Sequence, residues 1–368
     1  MMKNFRTIPA LLIMGLISVT SCKKDDDNNN NDNVIPPYEV PTTYNFSGAN
    51  YLSSTQRVKM GVELNSYLGT GNNATVTAAK ANDYFNNTNA PFADATLNTS
   101  GVTLAQKTAD PTVFTTYFTQ QASNSLQNGV AATNGTAGFY MSGTTKRLVG
   151  PTGMEANQGV AKGMMGALYF KEAMTLLTSV PSADNNTVTN GSTAMQRAWD
   201  EAFGYLGVPA NYDPEATYPN TDPNRPLLWG GYLAERGKTI EAGKVIFNAF
   251  LKGRAAIGAK DYTVVNAQIT IIQEKWEQLV AAAALAYVTI PTASTSVNDL
   301  AVQFHALSEG YGFLSCFKYR PAKSKLSAEN YTALQTIINT NFYTLVNEAG
   351  FAKLVQAQTI LKTTYSLN

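Results

Sequence analysis

The sequence predicts an all-α protein: a helical bundle with two pseudo-symmetric repeated units, set behind a leader and a polar tether. Three observations carry this expectation. Apolar residues recur at three- and four-residue spacing through most of the body, which is the period of an amphipathic helix. No alternation of strand and helix patterns occurs, and no glycine loop has phosphate-binding spacing. "RAWDEAFGYL" (197–206) aligns without a gap on "HALSEGYGFL" (305–314).

At the amino terminus, Lys3 and Arg6 flank an apolar run, "IPALLIMGLISV", that is too short to span a bilayer comfortably. A basic region followed by a short apolar core is the pattern of a secretory signal, here residues 1–21. The run ends in "VTSC", which resembles a bacterial lipobox and makes Cys22 the expected lipidation site. Lys24, Asp25 and Asp26 then resemble the surface-export signal of Bacteroidetes-type lipoproteins. Residues 22–43 are charged and Asn-rich, and end in Pro36, Pro37 and Pro41. They carry too little apolar surface to fold, and the expectation is a disordered tether. Acyl chains on Cys22 would anchor the chain to the outer membrane, surface-exposed, with the body in water.

Residues 44–368 form the expected bundle body. In "SSTQRVKMGVELNSYL", Ser53 or Ser54 is the expected cap, with Met60, Leu64, Tyr67 and Leu68 on one face. In "DPTVFTTYFTQQASNSLQNG", Asp110 caps, Pro111 takes the first helical position, and Val113, Phe114, Tyr117, Phe118 and Leu126 form the stripe before Gly129. "GFYMSGTTKRLVGPTG" reads as a small hairpin or a loop. "MEANQGVAKGMMGALYFKEAMTLL" reads as a long buried helix whose Gly and Ala residues allow close contact. The segments starting at Ala234, Asn266 and Ser327 read as further helices. Trp199, Trp229 and Trp276 are expected in the core or an interface. The Pro/Asp-rich loop 207–231 reads as a crossover, with a lid over the site as the alternative.

The duplicated motif falls in pseudo-repeats at about 155–206 and 265–318. It pairs Ala198 with Ala306, Glu201 with Glu309, Gly204 with Gly312 and Leu206 with Leu314. Phe203 and Tyr205 exchange with Tyr311 and Phe313. Residues four apart share a helix face, so His305 stands over Glu309 and Arg197 over Glu201. Two readings follow. Each glutamate is an inward carboxylate satisfied by its helix neighbour, with Lys162 a further partner. Alternatively His305, Glu309, Glu201 and Asp200 converge into a mixed nitrogen and oxygen site for Zn, Fe or Mn, as facing helices of bundles do. Arg197, Lys162, Tyr205 and Tyr311 would support that site. A zinc-peptidase helix needs two histidines, and the chain has one. Ser308 lies close to His305 but has no nucleophile-elbow motif around it.

The net charge of +1 and the lack of a clustered basic face argue against a nucleic-acid partner. If Cys22 is lipidated, Cys316 is alone and no internal disulfide forms, so stability must come from the core.

"WDEAFGYLGVP" (199–209), "FHALSEGYGFL" (304–314), "YNF" (44–46) and "NDYFNNTNAPF" (82–92) together resemble the Bacteroidetes lipoproteins grouped as domain of unknown function 4856, over almost the whole mature chain. That family is similar, distantly, to imelysin-like proteins. The resemblance implies an imelysin-like helical bundle and a role in iron uptake. Imelysins carry Gly-x-His-x-x-Glu, whereas here Gln303 and Ser308 stand at the Gly and Glu places and Glu309 is one residue late. The expected function is that of a surface binding component in iron, haem or other metal acquisition, with an outer-membrane uptake receptor as partner. The alternatives are a metal- or acid/base-dependent hydrolase and a structural or adhesive surface protein.

Overall fold

Helix caps and chain breaks set the architecture. The computed structural model describes residues 37–368; Cys22 and the earlier part of the tether lie outside the described residues. Residues 37–43 form no helix or strand, but Tyr38 already donates to Asp261 Oδ2 at 3.1 Å, so contact with the body begins before Tyr44.

The first helix, α1 (Leu52–Gly69), buries Met60, Leu64 and Leu68 as its stripe predicts. Its cap position is Tyr51, and Ser54 donates to Tyr51 O rather than capping. Two shorter helices follow, α2 (Ala78–Asn86) and α3 (Ala95–Asn98), capped by Thr77 and Asp94. In α4 (Pro111–Ser125), Pro111 opens the helix and Phe114, Tyr117 and Phe118 are buried. Val113 and Leu126 depart from the expected stripe and are exposed. Asp110 makes no side-chain cap; its carboxylate pairs with Lys318 instead. The Gly/Thr-rich stretch is a hairpin, β1 (Gly138–Ser142) with β2 (Thr145–Val149), antiparallel with Ser142 opposite Thr145. Gly143 supplies the positive φ its two-residue turn needs.

The long buried helix of the sequence is three pieces. After α5 (Ala156–Met164), Met165–Phe170 widens into a π segment, and α6 (Lys171–Ser179) continues. A π turn leaves backbone carbonyls without their α-helical partners. Here the Trp229 indole N–H donates to Met165 O (2.9 Å) and the Ala109 N–H to Ala167 O (2.9 Å). Gly166 lets this segment lie against Cys316, whose Sγ would be 2.6 Å from an added Cβ.

The first motif helix is α7 (Ala194–Gly204), with a capping box between Thr193 and Gln196. The loop from Gly207 closes on itself through Leu227 N to Gly207 O (2.7 Å) and delivers α8 (Trp229–Glu235). Beyond it lie α9 (Ala242–Ala259) and α10 (Tyr262–Thr289), the latter capped by Asp261. The second motif helix, α11 (Leu300–Cys316), is capped by Asp299, which also accepts from Ser142 of the hairpin at 2.6 Å. The carboxyl-terminal stretch is three helices, α12 (Ala328–Ile338), α13 (Phe342–Asn347) and α14 (Ala352–Tyr365). Asn341 caps one break, and the left-handed pair Gly350 and Phe351 makes the other. The fold is all-α apart from the hairpin. Trp199, Trp229 and Trp276 are wholly buried.

The two motif helices are reached by the same route. Each follows a long helix that ends in a proline-started 3₁₀ turn, Val180–Ser182 before α7 and Ile290–Thr292 before α11. The residues after these turns, Ala183 and Ala293, share an extended conformation (φ −79°, ψ 145° and φ −72°, ψ 142°). Each motif glycine is a point of close approach. A side chain at Gly204 would strike Ser54 and Tyr51 at the start of α1, and one at Gly312 would strike Lys162 and Gly163 on α5.

Candidate functional site

The close α5–α11 contact brings two turns of helix together over His305. Glu155, at the start of α5, is fully buried and places both carboxylate oxygens 3.2 Å from His305 Nδ1. A carboxylate only accepts, so Nδ1 carries the hydrogen. Nε2 faces Glu309 Oε1 at 3.6 Å, one helical turn further along. Lys162 Nζ reaches the same oxygen at 3.3 Å and lies 5.2 Å from the centre of the Tyr232 ring. Ser308 binds the start of α5: its Oγ accepts from Glu155 N–H at 2.9 Å and donates to Phe304 O at 2.6 Å.

Around Glu309 the network widens. Tyr232 and Tyr287 share a hydrogen bond of 2.9 Å, and Tyr287 donates to Glu235 at 3.3 Å. Both phenols have their ionisation pushed well up, by burial first and by the Glu309 charge second. Arg236 lies 4.9 Å from the centre of the Tyr287 ring. The side chains of His305 and Lys162 keep 23% and 18% of their exposure, so the network touches solvent at one edge.

The other expected ligands lie elsewhere. Asp200, fully buried, accepts from Arg254 Nε and Tyr44 Oη, each at 2.8 Å. Burial raises its pKa, and Arg254 offsets part of that rise. Glu201 is half-buried beside Tyr205 and enters no ion pair among the described residues. Arg197 does not pair with Glu201; its guanidinium donates to the loop carbonyls of Thr189 (3.0 Å) and Ser192 (2.7 Å). His305 and Glu309 therefore meet as expected, and Lys162 joins them, while Asp200, Glu201 and Arg197 do not converge on them. Tyr205 accepts from Arg57 at 3.5 Å, and Tyr311 accepts from Tyr117 at 2.8 Å. The members the sequence reading missed are Glu155, Tyr232, Tyr287 and Glu235. Glu155 sits 150 residues from His305 in sequence, and no local spacing joins them.

The donor set does not fit a resident metal. The two imidazole nitrogens address carboxylates on different sides of the ring, and the Lys162 ammonium already stands at Glu309, where a cation would go. Among the described residues no group of three or more His, Cys, Asp or Glu side chains could hold a metal ion.

A separate cleft of about 670 Å³ opens between α4, the turn 150–154, Tyr311 of α11 and the α12–α13 junction. A smaller pocket of about 140 Å³ adjoins it, and Tyr117 and Tyr311 line both. The turn is fixed by Gly150 N to Met154 O (2.8 Å) and by Phe342 N to Thr152 O (3.0 Å). Gly153, with φ +87°, packs it against Phe304 and Phe342.

A family model described as Domain of unknown function (DUF4856) matches residues 41–364. The chain belongs to this family. The match takes in α1 to α13 and all of α14 but Tyr365, and so covers both motif helices and the network between α5 and α11. Searches of curated proteins and of solved structures returned no match.

Proposed function

We propose that this member of the family is a lipid-anchored outer-membrane protein that binds a ligand at the cell surface without transforming it. The observation that carries the binding reading is the preformed cleft beside Tyr117 and Tyr311, of a size usual for ligand sites. The hydrolase alternative has less support, because the groups it would use are occupied. Ser308 Oγ is spent on two backbone bonds, and Glu309 is held by Lys162. Anchoring rests on the lipobox-like "VTSC" and the polar tether. No helix among the described residues is long and apolar enough to cross a membrane.

Iron or haem acquisition with an outer-membrane uptake receptor is the finer form of this reading. It rests on the imelysin resemblance, and the two-donor arrangement at His305 gives it little footing.

Two measurements test the proposal. Metabolic labelling with an alkyne fatty acid should mark the wild-type chain and leave Cys22→Ser unmarked. External protease should then remove the body from intact cells. Labelling retained in Cys22→Ser overturns the anchor. Calorimetric titration with iron(II), zinc and haemin should show no tight stoichiometric binding. Tight binding that disappears in His305→Ala would instead establish the metal-acquisition form and move the site to the network.

A further inference from the structure

We infer that the cleft between α4, the turn 150–154 and the α12–α13 junction is a site for a neutral, polyhydroxylated ligand, a stretch of uncharged oligosaccharide. The inference rests on the binding reading above and names its ligand class.

Charge gives the first argument. Among the described residues, none that lines this cleft is Asp, Glu, Lys, Arg or His. A charged ligand would give up its hydration here without an ion-pair partner, which a site selective for it would have to supply. The walls are not apolar either. They present Gln120, Ser123, Asn124, Thr152, Asn339 and Asn341. Amides and hydroxyls both donate and accept, as sugar hydroxyls do. Tyr117 and Tyr311 add ring surface where this cleft meets the smaller pocket. An aromatic face with a polar edge suits a sugar ring, which has apolar C–H faces and a polar rim.

Asn124 gives the second argument. It is 6% exposed and lines the cleft, and its carboxamide, which pairs with no described residue, still reaches solvent. A polar group on a cleft wall is satisfied by solvent, and a ligand hydroxyl would take that place. The backbone makes room for it. An added Cβ at Gly150 would stand 3.2 Å from Asn124 Nδ2, so glycine there keeps the amide from being displaced. Rigidity is the third argument. The turn facing Asn124 is tied to α13 through Phe342 N to Thr152 O, so the wall does not need to be ordered on binding.

The test uses the full chain carrying Cys22→Ser, titrated by calorimetry with neutral glucan, mannan and galactan fragments of defined length. A polygalacturonate fragment and an uncharged apolar peptide serve as contrasts. At least one neutral fragment should bind. Loss of the Asn124 contacts in Asn124→Ala should weaken that binding about tenfold, the scale of one good hydrogen bond. Gln120→Ala, an exposed change that leaves the core alone, should weaken it as well, and His305→Ala should not. Failure of every neutral fragment, or undiminished binding in both Asn124→Ala and Gln120→Ala, overturns the inference. If the acidic fragment or the peptide binds instead, and Asn124→Ala weakens it, the cleft stands as a binding site and the ligand class is wrong. If nothing binds at all, the binding reading falls with it.

Discussion

Glu155 and Glu277 are both buried glutamates held by different kinds of partner, and a substitution at each site, His305→Ala at the first and Glu277→Gln at the second, should move stability in opposite directions. Among the described residues, His305 is the only partner of the Glu155 carboxylate. His305→Ala would strand that carboxylate, which costs on the order of 3–5 kcal/mol, and urea unfolding should show a midpoint shift of that scale. His305→Gln, which can still donate, should recover part of it. Glu277 accepts from Ser324 and from Tyr365, the latter at 2.5 Å, yet burial raises its pKa above the ordinary glutamate value. A raised carboxyl binds its proton more tightly when folded. Its contribution is therefore full below the unfolded pKa of about 4.3 and is lost as pH rises through the folded value. Glu277→Gln keeps an acceptor for both hydroxyls and removes the charge. It should raise the melting temperature at pH 8 more than at pH 5, and equal shifts at both pH values would refute this. At this scale the sequence exposed one half of each partnership. His305 and Glu309 share a helix face, so their meeting was legible. Glu155, Arg254 and Tyr232 come from distant segments, and only the tertiary fold brings them in.

Helix contacts set the next scale, and two glycines separate its effects. Gly312 lies where α11 meets Lys162 and Gly163, so Gly312→Ala must push α11 from α5. Overpacking of this kind costs about 1–3 kcal/mol. Gly258 is an exposed residue of α9 with open space around it. Gly258→Ala should stabilise by about 0.5–1 kcal/mol, because it removes unfolded-state freedom and nothing else. Denaturant curves for the pair should move in opposite directions. The sequence alignment of the motif helices foresaw that Gly204 and Gly312 correspond, and their shared role in close approach is now visible. Breaks were less legible. The stretch from Ser327 to Tyr365 keeps helical periodicity throughout, but the Asn341 cap and the left-handed Gly350–Phe351 pair divide it. A cap satisfies backbone donors without disturbing the hydrophobic period, so periodicity alone passes over it.

Across the whole molecule, composition and period were enough for the all-α class, because a bundle is written in repeated local signals. The cleft was not legible, since its walls come from α4, a turn after the hairpin, α11 and the α12–α13 junction, which no spacing rule connects. One thiol reports on this assembly as a unit. Cys316 is fully buried beside Gly166, and burial pushes its ionisation up. In the Cys22→Ser chain, a disulfide reagent should react with Cys316 only as fast as the body opens globally; rapid labelling under native conditions would show local opening at α11 instead. The π segment has a further consequence, one of phase. An α-helix turns about 100° per residue, and a π turn carries one residue more than an α turn. Deleting a single residue from Met165–Phe170 would let the helix run on as plain α. The wide turn and the plain turn each complete one circuit, so α6 would keep its present facing relative to α5. The indole of Trp229 would lose the freed carbonyl it engages at Met165, while Glu172 would stay within reach of Lys107 and Lys171. The wide turn thus stores one surplus residue without disturbing the rhythm shared by the half of the helix that serves His305 and the half that leads to the first motif helix.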